Sequence, residues 1–121
     1  MTATRTTAEL AYELYRRVDT GDIDGLVAMF TEDAQYHRPG YPPADGHAGI
    51  DHFYRHERVI ASGVHSLEAV TVSGDEMGVR GTFVGEKHDG TPLSLRFADF
   101  FTLSADHRFV RRETFFSAPL A

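Results

Sequence analysis

The 121-residue sequence predicts an α+β fold in which helices cover one face of a curved antiparallel sheet, and three observations carry that expectation. Apolar residues recur every three to four positions through the first half. From Val64 they alternate with polar ones, and turn-forming triplets cut this second half into runs of strand length. The length suits one domain, expected to span 1–121, and 41% hydrophobic with 25% charged residues is the makeup of a chain that folds.

Thr6-Thr7-Ala8-Glu9 has the form of a capping box, after which Leu10, Leu14 and Val18 recur every fourth position with Ala11 and Tyr15 beside them. Gly21 is expected to stop this helix. Asp22 can cap a short second one whose Ile23, Leu26, Val27 and Phe30 share a face. Ala34 to Arg38 reads as a short strand that Pro39-Gly40 ends, before a loop with Pro42-Pro43 and Asp45-Gly46. A third helix is expected over 49–58, with Ile50, Phe53 and Tyr54 on its apolar side. Ser73-Gly74-Asp75, Asp89-Gly90-Thr91 and Ser104-Ala105-Asp106 then separate four predicted strands, 65–72, 76–87, 92–103 and 107–117.

Composition excludes several function classes. Twelve Lys and Arg against eighteen Asp and Glu give a net charge of −6, which disfavours nucleic acid as a partner. No cysteine means no disulfide framework, thiol nucleophile or Cys-bound metal. No apolar run approaches the ~20 residues of a membrane span, and residues 1–10 lack the apolar core of a signal peptide, so the expectation is a cytoplasmic protein without a membrane partner. His52 and His56 stand four apart on the third helix, a metal-compatible spacing, but no third ligand is placed with them and no metal or organic cofactor is expected. His47, His65, His88 and His107 fall in predicted loops or strand ends and are expected to be exposed.

The informative residue is Asp99. On the strand 92–103 it shares a face with Leu93, Leu95, Phe97, Phe101 and Leu103, where it is the one polar group. A carboxylate there must find donors, pair with a cation, or sit protonated. It is either a structural polar residue held by neighbours or the ionisable group of an apolar small-molecule pocket. By the same alternation Tyr36 and Arg38 face inward if Ala34 does, and His37 faces away unless a bulge turns it. Arg38 then either serves a pocket mouth or neutralises Asp99 or Glu113, and a nearby Arg would lower the carboxyl pKa whereas an unpaired apolar site would raise it. Phe115 and Phe116 are expected to point to opposite faces, and an outward Phe beside Arg111, Arg112 and Glu113 would suit a dimer face.

The segment Val18-Asp19-Thr20-Gly21-Asp22 to Met29-Phe30, followed by Asp33-Ala34, Pro39, Gly46, Ile50 and Phe53-Tyr54-Arg55, resembles the bacterial ketosteroid isomerases. These belong to the nuclear-transport-factor-2-like, or SnoaL-like, superfamily of cone-shaped, cystatin-like α+β barrels. Ala98-Asp99-Phe100-Phe101 and Asp106-His107-Arg108-Phe109 resemble that family's penultimate-strand Asp and closing hairpin. The resemblance implies a homodimer and an enclosed pocket for a small apolar molecule, lined by Leu14, Tyr36, Phe53, Phe83, Phe97 and Phe101. It places Asp99 at the position of the isomerases' protonated oxyanion donor. Their general base aligns with Arg38, which cannot shuttle a proton. Their first-helix Tyr aligns with Leu14, next to Tyr15, which a slightly different register would substitute.

Arg80-Gly81-Thr82-Phe83 and Arg96-Phe97-Ala98-Asp99-Phe100-Phe101 are similar to the SnoaL-like polyketide cyclases, which implies Asp99 as general acid/base, with Phe83 where those enzymes carry a His. A weaker similarity is to the limonene-type epoxide hydrolases, whose Asp–Arg–Asp would need a second carboxylate such as Glu113 or Asp45 beside Asp99 or Arg38. The expected function is therefore cofactor-independent acid/base catalysis of isomerase or cyclase type on a small apolar carbonyl or polyketide-like substrate. Asp99, Tyr15, Arg38 and His37 are its candidate residues. The alternatives are a non-catalytic small-ligand-binding or interaction module and an epoxide hydrolase.

Overall fold

The computed structural model describes residues 6–118. Helix α1 spans Thr7–Thr20, and the capping box forms as expected: Glu9 N–H donates to Thr6 Oγ1 at 3.2 Å while Thr6 N–H donates to the Glu9 carboxylate. Gly21 ends the helix in the left-handed region at φ 74°. The buried stripe is Leu10, Ala11, Leu14, Tyr15 and Val18, broad enough to carry both Leu14 and Tyr15 into the interior. Helix α2, Ile23–Ala28, starts on Asp22, whose carboxylate accepts from Gly25 N–H at 3.0 Å.

Strand β1 is Phe30–His37, four residues longer at its start than the sequence suggests, because Phe30 leaves the second helix's face to enter the sheet. Two residues of the expected loop, Ala44–Asp45, pair with it as β2. Helix α3 is Gly46–His52, and the remainder of the expected third helix is a π-helical turn, Phe53–Glu57, closed by Arg58 N–H on Phe53 O at 2.9 Å. Strands β3 Ile60–Ser73, β4 Glu76–Lys87, β5 Pro92–Leu103 and β6 Phe109–Phe116 form the meander, with β4 and β5 at the expected bounds. The sheet order is β2-β1-β6-β5-β4-β3, antiparallel except for the β1–β6 pair, so the first strand returns beside the last.

The helices lie against β1, β3 and β4, and the core fills the hollow between them and the sheet. Along β4 and β5 burial alternates strictly: Met77, Val79, Gly81 and Phe83 face in, as do Leu95, Phe97, Asp99, Phe101 and Leu103. In β6 the alternation breaks. Thr102 pairs with Arg111 but Leu103 pairs with Phe109, a bulge that leaves Val110 over and flips the parity of every later residue. Phe109, Arg112 and Thr114 consequently all face inward. Among the described residues no helix is long and apolar enough to cross a membrane.

Candidate functional site

Asp99 is completely buried, and its neighbours in the sheet decide its environment. It stands between Val79 on β4 and Thr114 on β6. Thr114 Oγ1 donates to Asp99 Oδ1; the Tyr15 hydroxyl, arriving from α1, donates to Oδ2; and Arg112 Nη2 donates to the same oxygen at 3.0 Å. Arg112 is as dry as its partner, with 3% of its side chain exposed against 1% for Asp99.

Burial alone would push the Asp99 carboxyl pKa up, but the Arg112 guanidinium beside it, followed by the hydrogen bonds from Arg112, Thr114 and Tyr15, holds it below the usual carboxylate range. Arg112 feels burial as a downward pull, which Asp99 together with Tyr36, Tyr54 and Tyr15 outweighs, so its pKa rises well above the ordinary value. The site at neutral pH is therefore a carboxylate and a guanidinium. An isomerase-type protonated acid at Asp99 does not fit these surroundings.

That charge state fixes the direction of the hydrogen bonds, because an ionised carboxylate only accepts. Thr114 spends its hydrogen on Asp99, so in its 3.2 Å contact with Tyr36 it is the acceptor and Tyr36 the donor. Tyr36 oxygen in turn accepts from Arg38 Nη1 at 2.7 Å. The chain of donors Arg38, Tyr36, Thr114 thus runs toward Asp99, and Tyr15 and Arg112 reach it from the other side. Arg112 also donates through Nη1 to Tyr54 OH at 2.7 Å and lies 4.5 Å over the Tyr36 ring.

The three phenols are tuned apart. Burial and then Asp99 raise the Tyr15 pKa well above its ordinary value, and burial raises that of Tyr54. For Tyr36 burial also acts upward, but Arg112 and Arg38 outweigh it, leaving it the phenol that ionises most readily.

The residues expected to line a pocket are brought together on the inner wall: Leu14, Tyr36, Phe53, Phe83, Phe97 and Phe101 are all buried. Tyr15, not Leu14, carries the hydroxyl to Asp99. Arg38 is buried as the alternation predicts, stacked over Phe53 at 5.1 Å and Phe116 at 4.9 Å, but the cation bonded to Asp99 is Arg112. His37 lies on the opposite face of β1, where its Nε2 contacts Gln35 at 3.2 Å. Glu113 pairs with Arg111 at 3.4 Å and Asp45 bonds Gln35, and neither is among the groups that hydrogen-bond Asp99. Four clefts of the molecule do not include Asp99 in their linings.

The β6 bulge turns Arg112 inward, away from its strand neighbours Arg111 and Glu113. His65 was expected exposed, but only 9% of its side chain is, because β3 begins five residues earlier than predicted and carries His65 across the inner face. Its Nδ1 meets Asp19 Oδ1 at 2.5 Å and its backbone N–H donates to Asp19 Oδ2 at 2.8 Å. The ring rests 4.9 Å from Tyr15 and 4.6 Å from Phe83, its cross-strand partner. An imidazole thus stands beside Phe83, the position where the cyclases carry theirs. Burial lowers the His65 pKa despite the Asp19 hydrogen bond, which keeps the ring neutral. The outward expectation holds for His88 and His107, while His47 is half-buried with Nε2 2.7 Å from Phe30 O. His52 and His56 rings are 5.1 Å apart and exposed, and among the described residues no three His, Asp or Glu side chains gather as a metal site would require.

Comparison with known proteins bears on this arrangement. The model of the SnoaL-like domain family matches residues 11–112. No curated protein matches by sequence. Among solved structures, a nuclear-transport-factor-2-like protein of unknown function from Burkholderia pseudomallei is 22% identical with a TM-score of 0.84, covering 94% of this chain and 92% of that one. TerC, co-crystallised with polyporic acid, is 24% identical with a TM-score of 0.81 over 92% and 91% of the two chains. The epoxide hydrolase/cyclase-like enzyme SalBIII, of pyran ring formation in salinomycin, is 22% identical with a TM-score of 0.80 over 92% and 90%. At these identities the likeness establishes the fold.

Proposed function

The chain belongs to the SnoaL-like domain family, and from that premise we propose a cofactor-independent acid/base enzyme for a small apolar carbonyl or polyketide-like substrate, with Asp99 at the centre of its proton chemistry. The observation that carries this reading is the buried, ionised Asp99 carboxylate held by Tyr15, Thr114 and Arg112 at the end of a directed chain of donors. Charge placed so far from water is costly unless it is paired, and here pairing preserves it in a low-dielectric interior where electrostatic effects are large.

In this reading Asp99 acts as a proton acceptor or electrostatic anchor, not as an acid. A proton passed from Tyr36 through Thr114 to Asp99 leaves a phenolate that Arg38 and Arg112 stabilise, so Tyr36 is the group best placed to give and regain a proton. Tyr15, which holds its proton firmly, keeps that hydrogen on Asp99 and fixes the carboxylate in place. That SalBIII is named an epoxide hydrolase/cyclase-like enzyme of pyran ring formation supports a cyclase-type reaction on this fold. The same reading includes a cytoplasmic homodimer joined through the outer sheet face, where Phe100 and Phe115 pack edge to face at 5.9 Å and remain half exposed.

Enolisation can be followed without knowing the natural substrate. With 2-tetralone in D2O, proton NMR should show the protein accelerating exchange next to the carbonyl, by about 100-fold or more if a positioned base acts. Asp99→Asn should abolish the acceleration and Tyr15→Phe reduce it; equal exchange by wild type and Asp99→Asn would overturn the assignment. Two observations favour a second reading, a ligand-binding module without chemistry: every Asp99 oxygen is already occupied, and Arg38 stands where the isomerase resemblance calls for a base. Saturable binding of 2-tetralone without exchange would support that module.

A further inference from the structure

Tyr54 connects the buried network to the surface. Its hydroxyl accepts from Arg112, and it also lines a cleft of about 270 Å³ between the end of α1, α2, the π-helical turn and the start of β3. Val18, Ile23, Leu26 and Ile60 supply apolar walls, and the volume is close to the ~300 Å³ at which small-molecule pockets begin.

The ionisable groups of this cleft are Asp19, Arg55, Arg58 and His88, and three of them are satisfied. Both Asp19 oxygens are taken by His65. Arg55 pairs with Asp51 at 3.0 Å and with Asp24 at 2.6 Å. His88 Nε2 meets the Arg58 carbonyl at 3.1 Å. The Arg58 guanidinium differs: among the described residues it makes no ion pair, and its buried Nε has no hydrogen-bond partner. It lies 5.5 Å over the Tyr54 ring, half-buried.

A guanidinium is a five-donor fork matched to planar oxyanions, and an unanswered one in an apolar cleft is unfavourable until an anion arrives. Burial, the largest influence on Arg58, destabilises its charged form, and with Arg38 and Arg112 it outweighs the opposing pull of Tyr54 and Tyr36.

We propose that this cleft binds an apolar carboxylate, with Arg58 pairing its oxygens and Tyr54 with the aliphatic wall receiving its hydrocarbon part. This rests on the reading of the protein as one that binds a small apolar ligand and narrows such ligands to those bearing a negative oxygen. It does not require Asp99 to catalyse.

The test uses the intact protein and two probes of the same shape, 1-naphthoate and neutral 1-naphthalenemethanol, followed by calorimetry and amide NMR shifts. Naphthoate should bind about 10- to 100-fold more tightly than the alcohol, the range of a charge-assisted pair, with the largest shifts at Leu26, Tyr54 and Ile60. Arg58→Gln should erase the difference while leaving alcohol binding unchanged, and Arg58→Lys should retain part of it. Circular dichroism establishes that each variant is folded. Equal naphthoate affinity in wild type and Arg58→Gln, shifts confined to another face, or no saturable naphthoate binding would each overturn the proposal. Arg58-dependent naphthoate binding alongside absent tetralone exchange would retain this site and remove the catalytic reading. Exchange without Arg58-dependent binding would do the reverse.

Discussion

Replacing Arg112 with Met removes the cation from Asp99 while keeping an unbranched side chain against Tyr36. The two partners are 3.0 Å apart with 3% and 1% of their side chains exposed, so the loss is that of a buried pair broken on one side, about 3–5 kcal/mol. Against a typical domain stability of about 5–15 kcal/mol this is large. With a urea slope of about 1.5 kcal/mol/M it lowers the unfolding midpoint by about 2–3 M.

The pH dependence carries the sharper information. In the wild type the folded Asp99 pKa is depressed below the unfolded value of about 3.9, so its contribution is present above that pH and lost as pH falls through the folded pKa. Without Arg112, burial acts with less opposition and raises the folded pKa, so the ionised carboxylate opposes folding at neutral pH. The deficit of Arg112→Met, measured by urea unfolding, should therefore be greatest at pH 7 and shrink toward pH 4.5. Adding Asp99→Asn should restore part of the stability, giving a coupling energy in a double-mutant cycle. A deficit under about 1 kcal/mol at pH 7, as an exposed pair would give, or the same deficit at both pH values, would refute the reasoning.

Two further predictions concern residues placed by the tertiary structure. Burial first of all, with Arg112 and Arg58, depresses the His65 pKa against the opposing Asp19 bond. The neutral ring should therefore contribute stability above about pH 6.5 that is lost as pH falls toward the folded pKa. Imidazole NMR should show His65 titrating below about 6.5, and His65→Phe should flatten the acid loss; a titration above 6.5 would contradict the buried placement. On the outer sheet face Phe100 is 52% exposed, and Phe100→Glu should convert the proposed dimer to a monomer in light scattering coupled to size exclusion, whereas an unchanged mass would count against that face.

Periodicity determined much of this protein by itself. The capping box and Gly21 bounded α1, the turn triplets bounded β4 and β5, and strict alternation along β5 put Asp99 inward among Phe97 and Phe101. Those are local facts, because side-chain direction in a regular element follows from its own dihedral angles. What Asp99 touches was not local. Tyr15 comes from 84 residues away, and the one-residue bulge at Val110 reverses the parity of β6, turning Arg112 and Thr114 from surface to interior. His65 shows the same limit, since its burial depends on where β3 begins and on Asp19 being opposite. The sequence could locate a carboxyl group that needed a partner, but strand register and helix placement chose a guanidinium over an apolar wall, and that choice decides whether the group is charged.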